Sequence, residues 1–176
     1  MAKKYSLTNT ILVIDTSYLL ELFGVPGYSE KNAMREIRKR HENAIKDKAM
    51  LFVPLPCLFE LGNHIADVRD DTRRQELANL FVQSIKTSVE KSMPWTITPP
   101  AIAIEDLPKL LEYFANHSVV QCKGSKCIGL VDTSTVLQAQ RLKNERKSLG
   151  YQVHIWTKDK RLKEHEPDPE NNPFLG

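Results

Sequence analysis

Four carboxylates, Asp15, Glu60, Asp132 and Asp159, stand where a chain of alternating strands and helices can gather acids that are distant in sequence. Asp15 follows the apolar run ILVI and precedes Thr16 and Ser17; Asp132 follows IGLV and precedes Thr133 and Ser134; Asp159 comes two residues after Thr157 at the end of YQVHIWTKD. Glu60 lies in LFELGNHIA, in the helix expected after the run MLFVPL. In a parallel α/β sheet, ligands bind beyond the carboxyl ends of the strands, so acids at such junctions converge on one edge. Taken singly, each is an ordinary helix cap or first-turn acid. Their recurrence gives them weight. Carboxylates packed together raise one another's pKa, and burying them unpaired is costly, so something positive must offset them. Oxygen-only donors without converging histidine or cysteine select a hard cation, Mg²⁺ or Mn²⁺. Such an ion, held by few carboxylates, commonly meets phosphate oxygens, which points to phosphoryl chemistry.

The elements that must position these acids can be read in order. Residues 11–14 are a strand, and a short helix with Tyr18, Leu19, Leu20 and Phe23 follows, broken at Gly24 and Pro26-Gly27. Ser29 can cap a strongly charged helix to about residue 48, with Lys31, Arg35, Arg38, Lys39, Arg40 and Lys46 against Glu30, Glu36, Glu42 and Asp47. Residues 50–55 form a second strand. In the helix beginning near Cys57, Leu58, Leu61, Ile65 and Val68 mark the buried face, and Glu60 falls off that stripe in the first turn. His64 and Asp67 share its polar edge, where His64 reads as a surface or supporting residue rather than a ligand.

Asp70 and Asp71 can cap a long helix to about residue 92, with Leu77, Leu80, Phe81, Ile85 and Val89 on one side. Residues 95–104 are a candidate edge strand, since Pro99-Pro100 tolerates an edge and not a centre. Asp106 and Pro108 open another helix. After a polar excursion, residues 128–131 predict a strand leading into Asp132, then a helix to about residue 149 with Val136, Ala139 and Leu142 inward. Residues 151–156 are a strong strand. The tail, 164–176, carries three prolines and few core-forming residues, which predicts poor packing. The pattern is α/β: a doubly wound, mostly parallel central sheet flanked by helices.

At 176 residues the chain suits one domain, expected over 11–163 with an N-terminal extension at 1–10. No apolar run approaches the roughly 20 residues needed to span a bilayer, and MAKKYSLTNT lacks the apolar core of a secretion signal. Three cysteines, Cys57, Cys122 and Cys127, make an odd count that suits a reducing compartment, so a cytoplasmic location is expected. Cys122 and Cys127 sit in CKGSKC, where zinc would need two further ligands; none is evident nearby, and a basic turn with two thiols is the better reading. The net charge of +3 removes the barrier an acidic protein presents to a polyanion and proves nothing more.

Over about residues 11–163 the arrangement resembles the PIN-domain nuclease family. That family's pattern is an Asp after the first strand with a small hydroxyl residue following, a Glu on the helix after the second strand, an Asp opening a late helix, and a T-x-D ending the next strand. The matching positions are Asp15 with Thr16 and Ser17, Glu60, Asp132 in GLVDTSTVLQAQ, and Thr157 with Asp159 in IWTKD. The resemblance implies an endoribonuclease in which these acids hold Mg²⁺ or Mn²⁺ and an activated water attacks a phosphodiester in line. Asp15 would be the central ligand, Asp132 and Asp159 would complete the site, and Glu60 would act through water or help activate the nucleophile. Ser17 and Thr157 would orient carboxylates or touch phosphate. Many small members are toxins of toxin–antitoxin pairs and form homodimers, so an RNA substrate, an antitoxin protein and a second copy are the implied partners. The chain departs from the pattern after T-x-D, where Lys160-Arg161-Leu162 replaces a further acid, and it is longer than a minimal toxin.

Basic residues fit this reading: Lys158, Lys160, Arg161 and Lys163 surround Asp159, and residues 141–147 lie on the helix after Asp132, where they could receive flanking phosphates. Trp95, Trp156 and the tyrosines could stack on bases, although core packing suits Trp156 better. For the charged helix at 29–48, a solvated face is the plainer reading and a groove for RNA or a partner protein the sharper one. The rival from another class is a non-catalytic module of the same fold that binds RNA or a partner through that helix. A phosphoacceptor domain is disfavoured, because a D-x-D nucleophile motif needs an acid where Ser17 stands.

Overall fold

The computed structural model describes residues 9–99, 104–117 and 128–170. Strand β1 (Thr10–Ile14) is followed by helices α1 (Thr16–Phe23) and α2 (Lys31–Lys46), then β2 (Met50–Pro54), α3 (Leu55–Ala66), α4 (Asp71–Lys91) and β3 (Thr96–Thr98). After it come α5 (Leu107–Ala115), α6 (Leu130–Arg146), β4 (Gln152–Trp156) and the single turn α7 (Lys160–Lys163). The strands form an all-parallel sheet in the order β3-β2-β1-β4, with Val13 beside Phe52 on one side and Ile155 on the other. The doubly wound α/β expectation holds.

β1 is the centre of the molecule because every one of its residues is buried. Leu12 and Ile14 point to a core completed by Leu51, Val53 and the apolar faces of α1, α2, α3 and α4. Ile11 and Val13 point the opposite way, into a cluster with Phe52, Val153, Ile155 and Val136, Ala139 and Leu142 of α6. A strand apolar on both faces can be satisfied only by helices above and below it. Among the described residues no helix is long and apolar enough to cross a membrane.

The chain runs from β1 outward to β2 and β3, then returns to place β4 on the other side of β1. The order therefore reverses between β1 and β4, and the crevice beyond their carboxyl ends is where a sheet of this kind binds ligands.

Several sequence expectations are corrected. Residues 128–131 do not form a strand: Gly129 is the extended N-cap of α6, and Leu130 is already helical. Asp132, at the third helical position, accepts the Gly129 amide at 2.8 Å, so a capping hydrogen bond takes the place of sheet pairing. α3 starts at Leu55, which moves Glu60 out of the first turn. Glu30 rather than Ser29 is the N-cap of α2, and the Ser29 hydroxyl donates to Val25 O. Leu80 and Val89 of α4 are exposed, leaving Leu77, Phe81 and Ile85 to meet the core. The edge position of β3 agrees with expectation. Residues 1–8, 100–103, 118–127 with Cys122 and Cys127, and 171–176 lie outside the described residues.

The tail also differs over residues 164–170. Its carboxylates act as acceptors for the open edge of β4: Asp168 takes the Val153 amide at 2.7 Å and Glu166 the Ile155 amide at 3.0 Å. Asp168 also holds Lys143 at 2.7 Å, while Lys163 pairs with Glu166 and Glu170. Composition missed this, because the tail packs by hydrogen bonds and ion pairs and not by apolar burial. Asp168→Ala would leave Val153 N–H and Lys143 without that partner. The expected loss is about 1–2 kcal/mol, a Tm lower by about 2–8 °C. Faster amide exchange at Val153 is the local readout, and unchanged exchange would refute the assignment.

Candidate metal centre

Asp15 is the N-cap of α1 and lies at the reversal between β1 and β4, tied to the neighbouring strand through its own amide, which donates to Trp156 O at 3.0 Å. Its Oδ2 accepts the Ser17 amide at 3.1 Å, the Ser17 hydroxyl at 2.7 Å and the Thr157 hydroxyl at 2.9 Å. The side chain is buried, and burial pushes its carboxyl above the usual carboxylate range while the Ser17 and Thr157 donors pull the other way. Ser17 and Thr157 thus both donate to the Asp15 carboxylate from opposite ends of the chain. Lys158 N donates to Ser17 Oγ at 2.9 Å and Asp159 N to Thr157 Oγ1 at 3.0 Å, so the loop after β4 is fastened to the same two hydroxyls.

Glu60 reaches the site from α3 and accepts the Thr16 hydroxyl through Oε2 at 2.6 Å. Asp159, the N-cap of α7, accepts the Arg161 amide through Oδ1 at 2.8 Å. Each of the four acids is anchored through a named carboxylate oxygen: Oδ2 of Asp15, Oε2 of Glu60, Oδ2 of Asp132 and Oδ1 of Asp159. Hydrogen bonds of this kind orient a ligand carboxylate.

Their mutual influence is clearest at Asp132. Burial raises its carboxyl most, the charge of Asp15 adds to this, the Gly129 amide opposes it, and Asp159 and Glu60 push it further, up to about 6. A carboxylate that responds to three others lies in their common field. The donor chemistry fits a hard divalent cation. Among the described residues, however, no three His, Cys, Asp or Glu side chains are grouped closely enough to form a ready-made metal site. The structure brings the four acids into one electrostatic neighbourhood without closing them into a coordination shell.

Cys57 lies beneath this neighbourhood with Sγ 3.4 Å from Thr135 Oγ1, and burial, followed by the charge of Asp15, pushes its thiol up to about 12. It is a packing residue and no thiolate nucleophile.

The basic residues near Asp159 are less available than sequence suggested. Lys158 pairs with Glu21, which is fully buried, and Lys163 is buried between Glu166 and Glu170 and donates to Ile155 O at 2.9 Å. Arg141 pairs with Glu145 and Lys143 with Asp168. Trp95 and Trp156 are buried in the core, so neither presents a face for stacking. Sequence reasoning missed Thr16 as the partner of Glu60 and Glu21 as the partner of Lys158. These pairs are 44 and 137 residues apart, and no local pattern signals them.

No protein-family model matches the chain, and no curated protein matches it.

The raised value at Asp132 has a testable consequence. Between its ordinary value of 3.8 and about 6, the folded chain keeps a proton that the unfolded chain has released, so this contribution to stability is lost as pH rises through that window. Asp132→Asn keeps an acceptor for the Gly129 amide and removes the charge. In metal-free buffer at pH 7 the variant should be more stable by about 1 kcal/mol, after discounting for partial exposure, a Tm higher by about 2–4 °C. Near pH 4 the difference should vanish. Thermal unfolding at both pH values checks the sign.

Proposed function

We propose that this chain is a PIN-like endoribonuclease that depends on Mg²⁺ or Mn²⁺ and cuts RNA phosphodiester bonds, acting as the toxin of a toxin–antitoxin pair and as a homodimer. The observation that carries the reading is the buried Asp15 carboxylate at the sheet's reversal point, with Ser17 and Thr157 both donating to its Oδ2 and Glu60 held beside it by Thr16. Four acids drawn from α1, α3, α6 and α7 repel one another there, and the hydroxyl and amide donors around them solvate charge without cancelling it.

In this reading Asp15, Asp132 and Asp159 would hold the ion, drawn together by it, with Glu60 beside them. A bound divalent ion supplies positive charge to the phosphate oxygens and makes a water molecule more acidic. Ser17 and Thr157 hold Oδ2 of Asp15, so that its other oxygen keeps one direction. Thr16 holds Oε2 of Glu60, whose remaining oxygen can accept a proton from water. Buried β1 and β4 keep the floor of the crevice rigid.

Purified protein should cut single-stranded or looped RNA when Mn²⁺ or Mg²⁺ is present and stop when it is chelated. Asp15→Asn should abolish cutting with folding intact, and Ser17→Ala or Thr157→Val should weaken metal-dependent cutting by about 10–100-fold. Product ends carrying 5′-phosphate are expected. If wild type and Asp15→Asn bind RNA equally and neither cuts it in either metal, the chain is a binding module of the same fold.

A further inference from the structure

Beside Asp159, Lys158 and Lys163 are spent on internal pairs, and on α2 Arg40 is likewise held by Glu170, whereas Lys31, Arg35, Arg38 and Lys39 of that helix form no ion pair among the described residues. Lys31, Arg35, Arg38 and Lys39 are exposed and, with Met34 and Glu42, line a groove of about 370 Å³. Lys31, Arg35 and Lys39 take part in no ion pair among the described residues, and Arg38 donates only to Leu22 O, at 3.2 Å. Exposed cations are ordinary singly; a row of four bounded by one acid creates a local positive field.

Near the acid site two rings meet, one of them close in sequence to the start of α2. His64 follows Glu60 by one turn of α3, so both lie on the same edge of that helix. The His64 ring packs on Tyr28, with centroids 4.2 Å apart and planes at 52°. Tyr28 is 44% exposed, and the turn bond from its amide to Val25 O fixes its backbone at 3.1 Å. Buried Nδ1 of His64 has no hydrogen-bond partner among the described residues. Three residues beyond Tyr28, α2 begins at Lys31. Acid and imidazole thus share one edge of α3, the imidazole meets Tyr28, and the helix that carries the cations begins three residues further along the chain.

We propose that Tyr28, backed by His64, and the cationic face of α2 form a binding track for a single-stranded RNA segment leaving the acid site. From Lys31 to Lys39 the helix rises about 12 Å, which matches about three phosphates at 3.4 Å per nucleotide of a stacked strand. Bases present a face to an aromatic ring while phosphates meet cations, and RNA supplies both in alternation. An acidic protein would use the cations and leave the ring idle. The track rests on the reading that the acid site takes RNA, and its test is binding without cleavage.

Binding of a fluorescent oligouridylate to the full chain is measured in chelator across a salt series. The double variant Lys31→Gln with Arg35→Gln should flatten the slope of log affinity against log salt by about 1.4, about 0.7 for each lost phosphate contact. Tyr28→Ala should weaken binding about tenfold and Tyr28→Phe should not, and this difference should disappear with an abasic oligonucleotide of equal length. An unchanged slope, an equal loss on the abasic strand, or displacement by polyglutamate as effective as by RNA would overturn the track. If cutting with metal is absent while these binding effects appear, the nuclease reading fails and the track stands. Cutting by wild type with none of these effects has the opposite meaning.

Discussion

A carboxyl group buried at the carboxyl end of the central strand is the constraint on which the rest of this structure depends. Asp15 sits where the strand order reverses, buried, with its solvation supplied by Ser17 and Thr157. Those hydroxyls are in place only because β1 and β4 are adjacent and in register, and that adjacency exists because helices cover both apolar faces of β1. The two cores and the charged crevice are therefore one arrangement. Disturbing the packing of Ile14 or Trp156 would move the hydroxyl that steadies the carboxylate as well as opening a cavity.

The sheet was legible because its signals are local. ILVI before Asp15 and YQVHIW before Thr157 are strands by run length and composition, and Pro54, Gly24 and Gly150 mark ends that the structure honours. Gly24 also lies so close to α2 that an added Cβ would meet Met34 at 2.7 Å, a packing reason beyond its left-handed turn. The acids at Asp15 and Asp159 could be placed for the same reason. Asp132 was placed at a strand end by a mistaken structural expectation: IGLV has the composition of a strand, yet Gly129 and Asp132 cap a helix across three residues, and a cap outweighs a four-residue apolar run.

What remained hidden was long-range. Whether a lysine is free depends on which carboxylate folds back to meet it, and Lys158, Lys143 and Lys163 find theirs on Glu21, Asp168 and Glu166. Charge counted along the chain therefore located positive potential beside Asp159, whereas in three dimensions Lys31, Arg35, Arg38 and Lys39 of α2 form a row without ion pairs among the described residues. A similar redistribution explains His41: its burial pushes the imidazole down to about 4, and the neutral ring accepts the Trp95 indole N–H at 3.0 Å instead of carrying charge.

The two borders of the sheet differ from its middle. At one, β3 is three residues long; at the other, Asp168 and Glu166 occupy amides of β4 that a neighbouring strand would otherwise engage. A strand from another molecule approaching β4 would have to evict two carboxylates, and approaching β3 it would find little backbone to grip. Self-assembly through continuous intermolecular sheet is thereby discouraged on both flanks. Any stable association of copies must instead be made by side chains on the helical exterior, where residue identity can select the partner.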